Sequence, residues 1–160
     1  MTKVYLDVCC LNRPFNDQTQ DRIRFEAEAV LSVMTRVENG ELLSVSSTVV
    51  QTEINNNPNQ ELKLRLQELA SAASEFIIVE DKQLLRSYEL QKIGFHPFDA
   101  LHIACAETAG AETAGADLFL TTDDRLLRLA LRTKDQLMVR AANPASWLME
   151  LITNNEKDDN

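Results

Sequence analysis

The sequence is poor in the residues on which several protein classes depend. It has three cysteines, an odd number, and Cys9 and Cys10 are adjacent, which argues against a secreted disulfide framework. The only histidines, His96 and His102, lie far from that pair, so a zinc site of short ligand spacing has no basis and the cysteines read as small buried apolar residues. Four glycines occur, none near the first apolar run, which removes the glycine-rich loop of a nucleotide-binding fold. Apolar runs such as Phe76 to Val79 and Leu118 to Leu120 are too short to span a bilayer as a helix. Charged and polar residues from Lys3 to Asp7 break up the start, so no secretory signal and a cytoplasmic location are expected. Positive charge is scarce as well. The formal net charge is −9, which argues against holding nucleic acid by a basic surface alone. Carboxylates gathered around divalent cations would reverse the local field, and Arg13, Arg22, Arg24 and Arg125 are the cations that could adjoin such a cleft.

What is present is a βα alternation. Lys3 to Leu6 reads as a strand stopping at Asp7, with the residues up to Pro14 as a connection. From Asp21 to Asn39, Ile23, Ala27, Val30, Leu31, Met34 and Val37 recur at helical spacing, and Gly40 follows where a helix would end. Leu42 to Val45 reads as a second strand; Ser46, Ser47 or Thr48 can cap a helix carrying Val49, Val50, Glu53 and Ile54, ended by the run from Asn55 to Pro58. Leu62 to Ala73 is amphipathic, Phe76 to Val79 a third strand, and Asp81 the expected cap of a helix reaching Leu90 and stopping near Gly94. Pro97 opens a helix containing Asp99, Leu101, Ile103 and Ala104. Asp117 to Thr122 is a fourth strand with Asp123 at its end, Leu126 to Leu131 is helical, Leu137 to Val139 is the candidate last strand, and Trp147 to Ile152 closes the core. The expected fold is a three-layer α/β/α sandwich around a mainly parallel sheet of four or five strands, in one domain over residues 1–152. The polar segment 153–160 is expected to fray. An identical pentapeptide repeats at Ala106 to Gly110 and Ala111 to Gly115; Gly110 is the expected helix end, and the second copy is expected to lengthen a loop.

In a parallel sheet, ligands bind outside the carboxyl ends of the strands. Asp7 and Asp123 stand at such ends, Glu53 follows the second strand, and Asp99 lies in a first helical turn, so all four can face one crevice. Each acid alone has a bland explanation, as a cap or a surface residue. Together they repel one another, and a divalent cation resolves that conflict. Mg²⁺ or Mn²⁺ suits oxygen ligands, keeps several waters and, as one or two ions, can assist phosphodiester hydrolysis without a cysteine or serine nucleophile.

At these residues the sequence resembles the PIN domain family, and in particular the small prokaryotic members that include the VapC-type toxins. The resemblance rests on Val4-Tyr5-Leu6-Asp7, Glu53-Ile54, the segment Asp99 to Ala104, and Leu118 to Asp123, and it covers Val4 to about Leu148. It implies that Asp7, Glu53, Asp99 and Asp123 hold Mg²⁺ or Mn²⁺ for cleavage of RNA, that the protein is a homodimer, and that a toxin would be neutralised by a small antitoxin. It also implies that Thr121 supports the acidic site by hydrogen bonding. Asp124 competes with Asp123 as the fourth acid, and Arg13, in the Asn12 to Phe15 loop, is a candidate phosphate contact. His102 shares a helix face with Asp99, and a hydrogen-bonded packing role is expected for it in preference to metal ligation. The pattern departs where Val8 and Cys9 follow Asp7, since relatives often carry Thr or Ser there.

Other readings fail on particular residues. A haloacid dehalogenase-type phosphatase needs a second Asp two positions after the first, where Cys9 stands. A receiver domain needs a late-strand Lys and a phosphorylatable mid-chain Asp at a strand end, whereas Asp99 opens a helix. The alternative that survives is a catalytically weak or inactive PIN-like binding or scaffold module, favoured by the acidic surface and the missing hydroxyl.

Overall fold

The short β-rich run after Thr2 forms β1 (Lys3–Leu6), all four residues of which are buried. The computed structural model describes residues 1–108 and 115–158. Burial on both sides fits β1's place at the centre of a five-stranded sheet, because a parallel strand covered on two faces needs a continuous apolar run. The other strands are β2 (Leu43–Ser47), β3 (Glu75–Ile77), β4 (Leu118–Leu120) and β5 (Arg140–Ala142). Their order is β3-β2-β1-β4-β5, and every neighbouring pair is parallel. The expected α/β/α sandwich is thus the observed one, with five strands.

The helices are α1 (Val8–Asn12), α2 (Asp21–Glu38), α3 (Thr48–Asn55), α4 (Gln60–Ala70), α5 (Asp81–Ile93), α6 (Pro97–Glu107), α7 (Asp124–Arg132) and α8 (Pro144–Asp158). α2 contacts α8 and α5 contacts α6, the two pairs lying on opposite faces because the chain reverses direction across the sheet between β3 and β4. Tyr5, Phe119, Ile103, Leu120 and Val30 are among the largest fully buried side chains and define the core. No described helix is long and apolar enough to cross a membrane.

Several local expectations are corrected. The segment after Asp7 is not a plain connection: it is α1 followed by a 3₁₀ turn over Arg13–Phe15, and Pro14 is accommodated there because a first-turn residue needs no N–H partner. The helix before β3 begins at Gln60 and ends at Ala70 rather than running from Leu62 to Ala73, with Asn59 as its cap. Glu80, not Asp81, caps α5, in a reciprocal capping box with Gln83. The last strand is displaced from Leu137–Val139 to Arg140–Ala142, where the register Leu118↔Arg140 and Leu120↔Ala142 completes the sheet edge. Residues Thr153–Asp158, expected to fray, continue α8 as an exposed extension.

α5 stops at Gly94, whose φ of +128° is a conformation that L side chains rarely adopt. α6 ends at Glu107, with Thr108 as its cap, so it stops before Gly110; that glycine and most of the second pentapeptide lie outside the described residues. Gly115 is where the chain returns against the end of α6: Ala116 N donates to Ala106 O at 2.8 Å, and a Cβ at Gly115 would collide with the Glu107 carbonyl.

Candidate functional site

The carboxyl ends of the two central strands fix the first part of the site. β1 and β4 pair with Leu6 opposite Leu120, and Asp7 N donates to Leu120 O at 3.0 Å, so Asp7 emerges beside Thr121. The Thr121 hydroxyl, fully buried, donates to Asp7 Oδ2 at 2.8 Å and accepts from Asp123 N at 3.2 Å. One hydroxyl therefore ties together the exits of both strands. The position of the hydroxyl expected after Asp7 is taken by a thiol: Cys9 Sγ donates to Asp7 Oδ2 at 3.3 Å, lies 3.3 Å from Thr121 Oγ1, and accepts from Thr122 N at 3.3 Å. Asp123 itself is the N-cap of α7, its Oδ1 accepting from Arg125 N at 2.9 Å and Leu126 N at 3.2 Å.

Glu53 reaches the same place from α3. Ser47 caps that helix, its Oγ accepting from Val49 N at 3.2 Å and Val50 N at 3.3 Å, and the helix then projects Glu53 toward α6. His102 of α6 meets it, with Nε2 2.6 Å from Glu53 Oε1 and 3.8 Å from Asp7 Oδ1. The other ring nitrogen, Nδ1, is 2.7 Å from the Tyr5 hydroxyl, which is 2.6 Å from Ser47 Oγ. This makes a continuous buried chain, Ser47–Tyr5–His102–Glu53. In the neutral imidazole, Nε2–H donates to Glu53 and Nδ1 accepts from Tyr5. Burial lowers the His102 pKa, but the bond to Glu53 and the charges of Asp7, Glu53 and Asp99 more than offset it, so the net shift is upward. His102 is buried and hydrogen-bonded at both nitrogens, so Glu53 is held by a fixed donor, and the same imidazole stands within metal-ligand reach of Asp7 and Glu53.

Asp99 stands in the first turn of α6, close enough to Asp7 and Asp123 for their charges to act on it. Burial, then the negative charges of Asp7 and Asp123, raise its carboxyl from an ordinary 3.8 to about 6. Opposing charge from Lys or Arg is missing: among the described residues, none of Asp7, Glu53, Asp99 and Asp123 forms an ion pair with either residue type. One ligand atom from each of Asp7, Glu53 and His102 lies within 4.8 Å of the others. Asp99 and Asp123 are not in that group; two carboxylates and an imidazole nitrogen in one place, with no lysine or arginine paired to them, offer a divalent ion a mixed oxygen and nitrogen site.

The remaining expected residues are engaged elsewhere. Asp124 forms a two-pronged ion pair with Arg22, both contacts at 2.7 Å, which holds its carboxyl below the ordinary range. Arg13 donates from Nε to Glu26 Oε1 at 3.0 Å and from Nη1 to Asn16 at 2.9 Å. Arg24 pairs with Asp21. Tyr5 and Ser47 escaped sequence reasoning, since nothing in a strand residue or a helix cap announces contact with a histidine of a distant helix.

Comparison with known proteins gives a consistent result. The family model of the PIN domain matches residues 4–131. No curated protein sequence matches the chain. Among solved structures, VapBC2 from Rickettsia felis bound to a DNA fragment from its promoter contains a chain similar to this one at 15% identity. That alignment covers 89% of this chain and 98% of the other, with a TM-score of 0.50. A DNA-bound VapBC from Salmonella typhimurium aligns at 15% identity over 90% of this chain and 99% of the other, with a TM-score of 0.47.

Proposed function

The chain belongs to the PIN domain family, and from that premise we propose that it is a metal-dependent ribonuclease hydrolysing phosphodiester bonds of RNA. The observation that carries the reading is the meeting of Asp7 and Glu53 at His102, with Asp99 near enough to feel the charges of Asp7 and Asp123 and, among the described residues, no lysine or arginine paired with any of the four acids. Asp7, Asp99 and Asp123 would hold Mg²⁺ or Mn²⁺, with Glu53 as a further ligand or general base. When bound, such an ion supplies charge stabilisation and a water of lowered pKa at the scissile phosphate.

The protein's own contribution is orientation. Thr121 and Cys9 both bond Asp7 Oδ2, which leaves Oδ1 as the oxygen directed toward Glu53 and His102. His102 fixes one oxygen of Glu53 and so decides where the other points. Asp123 keeps one oxygen on the first turn of α7, leaving its second available. Because Cys9 occupies the place of the missing hydroxyl, that departure from the family pattern gives no support to an inactive scaffold.

The same reading makes RNA the substrate and includes a small antitoxin protein and a second copy of the chain as partners, in keeping with the toxin members of the family. The test is cleavage of a labelled single-stranded RNA with Mn²⁺, with EDTA, and by the Asp99→Asn variant. Cutting that needs both the metal and Asp99 is expected; RNA left intact by the parent, or cut equally by the variant, would end the reading.

A further inference from the structure

Every arginine outside α7 is held in an ion pair by an aspartate or glutamate. The three on α7, Arg125, Arg128 and Arg132, have no side-chain hydrogen bond or ion pair among the described residues, and all are exposed. Their spacing of i, i+3 and i+7 places them in one stripe, while Leu126 and Ala130 bury the opposite side of the helix. In a chain with 25 acidic and 16 basic residues, a row of cations outside any ion pair runs against the composition; Asp124, whose charge reaches Arg128, is itself held by Arg22.

It also runs against helix physics. Like charges at these spacings repel by a few tenths of a kcal/mol, and Arg125 sits in the first turn, where the helix dipole disfavours a cation. An external polyanion would relieve both costs. The stripe starts two residues after Asp123, whose carboxylate caps the helix by accepting from Arg125 N, and it extends from there for about 10 Å at 1.5 Å per residue. Leu129, which neighbours the stripe around the helix, lies against Gly94, in the turn that leads through His96 to α6 and Asp99.

We propose that Arg125, Arg128 and Arg132 form the track for the RNA backbone flanking the scissile bond, each guanidinium taking a successive phosphate. This rests on the ribonuclease reading and extends it to the substrate's position. An acidic protein surface would also bind arginines, but the continuity of the stripe with Asp123 favours the strand whose phosphodiester is cut there. In an acidic protein, one positive row beside the reaction centre also steers a polyanion to it.

The test is fluorescence anisotropy of a short fluorescein-labelled single-stranded RNA of mixed sequence, in the Asp99→Asn background with Mn²⁺ so that the probe survives. Replacing all three arginines with Gln should weaken Kd on the order of tenfold. It should also reduce the slope of log Kd against log salt by roughly 2, from about 0.7 per lost phosphate contact on a single strand. The triple Lys replacement should keep the slope, and Gln at the paired residues Arg24, Arg65 and Arg140 should leave binding unchanged. Melting temperatures of all variants identify any loss that is only unfolding. An unchanged slope in the folded triple Gln variant overturns the proposal even where the parent cuts RNA. So does a stripe that binds a labelled Asp/Glu peptide but not RNA. Arginine-dependent RNA binding by a parent that cuts nothing keeps the track and removes the ribonuclease.

Discussion

Replacing Tyr5 with Phe deletes a single oxygen from the middle of the buried chain behind Glu53. That oxygen lies 2.6 Å from Ser47 Oγ and 2.7 Å from His102 Nδ1, and the Tyr5 and His102 side chains have no solvent exposure, so water cannot replace it without a cavity. Ser47 keeps two backbone donors, Val49 N and Val50 N, and the imidazole bears most of the loss. An orphaned buried polar group costs about 1–3 kcal/mol, and about 2–4 °C of melting temperature follows each kcal/mol in a chain of this size. Tyr5→Phe should therefore melt on the order of 5 °C below the parent. Since the imidazole also fixes Glu53, Mn²⁺ affinity should drop by about 10- to 100-fold, as when an outer-shell partner of a metal site is removed. Scanning calorimetry with and without Mn²⁺ reads both effects. A variant that melts with the parent and is stabilised equally by the metal would refute the coupling of the Ser47–Tyr5–His102 chain to Glu53.

Three further outcomes follow from named contacts. Glu26, only 2% exposed, accepts from Arg13 at 3.0 Å, Arg22 at 3.5 Å and Asn143 at 2.5 Å; Glu26→Ala should cost about 1–3 kcal/mol in urea unfolding, because it leaves the half-buried Arg13 guanidinium and Asn143 amide without that acceptor. The carboxyl of Asp99, raised from 3.8 to about 6, means that between those values the metal-free fold binds a proton that the unfolded chain has released. Its contribution to apo stability is complete at lower pH and is lost as pH rises through about 6, whereas Mn²⁺ affinity should fall as pH drops below that value; melting curves across pH with and without Mn²⁺ should diverge accordingly. Thr121→Val removes the donor to Asp7 Oδ2 and the acceptor for Asp123 N, and isothermal titration should show weaker Mn²⁺ binding even though Cys9 still bonds Asp7.

Much of this architecture is legible in the sequence. α2 repeats its apolar residues over five turns and β1 ends at a charge, and both signals are strong because burial imposes them on every residue. α1 has five residues, too few to display a period, and Pro14 reads as a break although a first turn tolerates it. β5 is Arg-Ala-Ala, a run with little β preference that becomes a strand only because the edge of β4 offers it partners; the more apolar Leu137 to Val139 attracted the reading instead. At the site, Asp7 and Asp123 are visible from their places at strand ends. The chain from Ser47 to Glu53 is not, since its links join residues separated by 42, 97 and 49 positions, and no local pattern encodes such contacts.

The central claim is that Asp7, Glu53, Asp99 and Asp123 share a divalent ion. Isothermal titration of Mn²⁺ into the parent and into Asp7→Asn measures it directly. Saturable binding by the parent and its loss in the folded variant is the predicted result. A parent that takes up no Mn²⁺, or a variant that binds it as tightly, would contradict the claim.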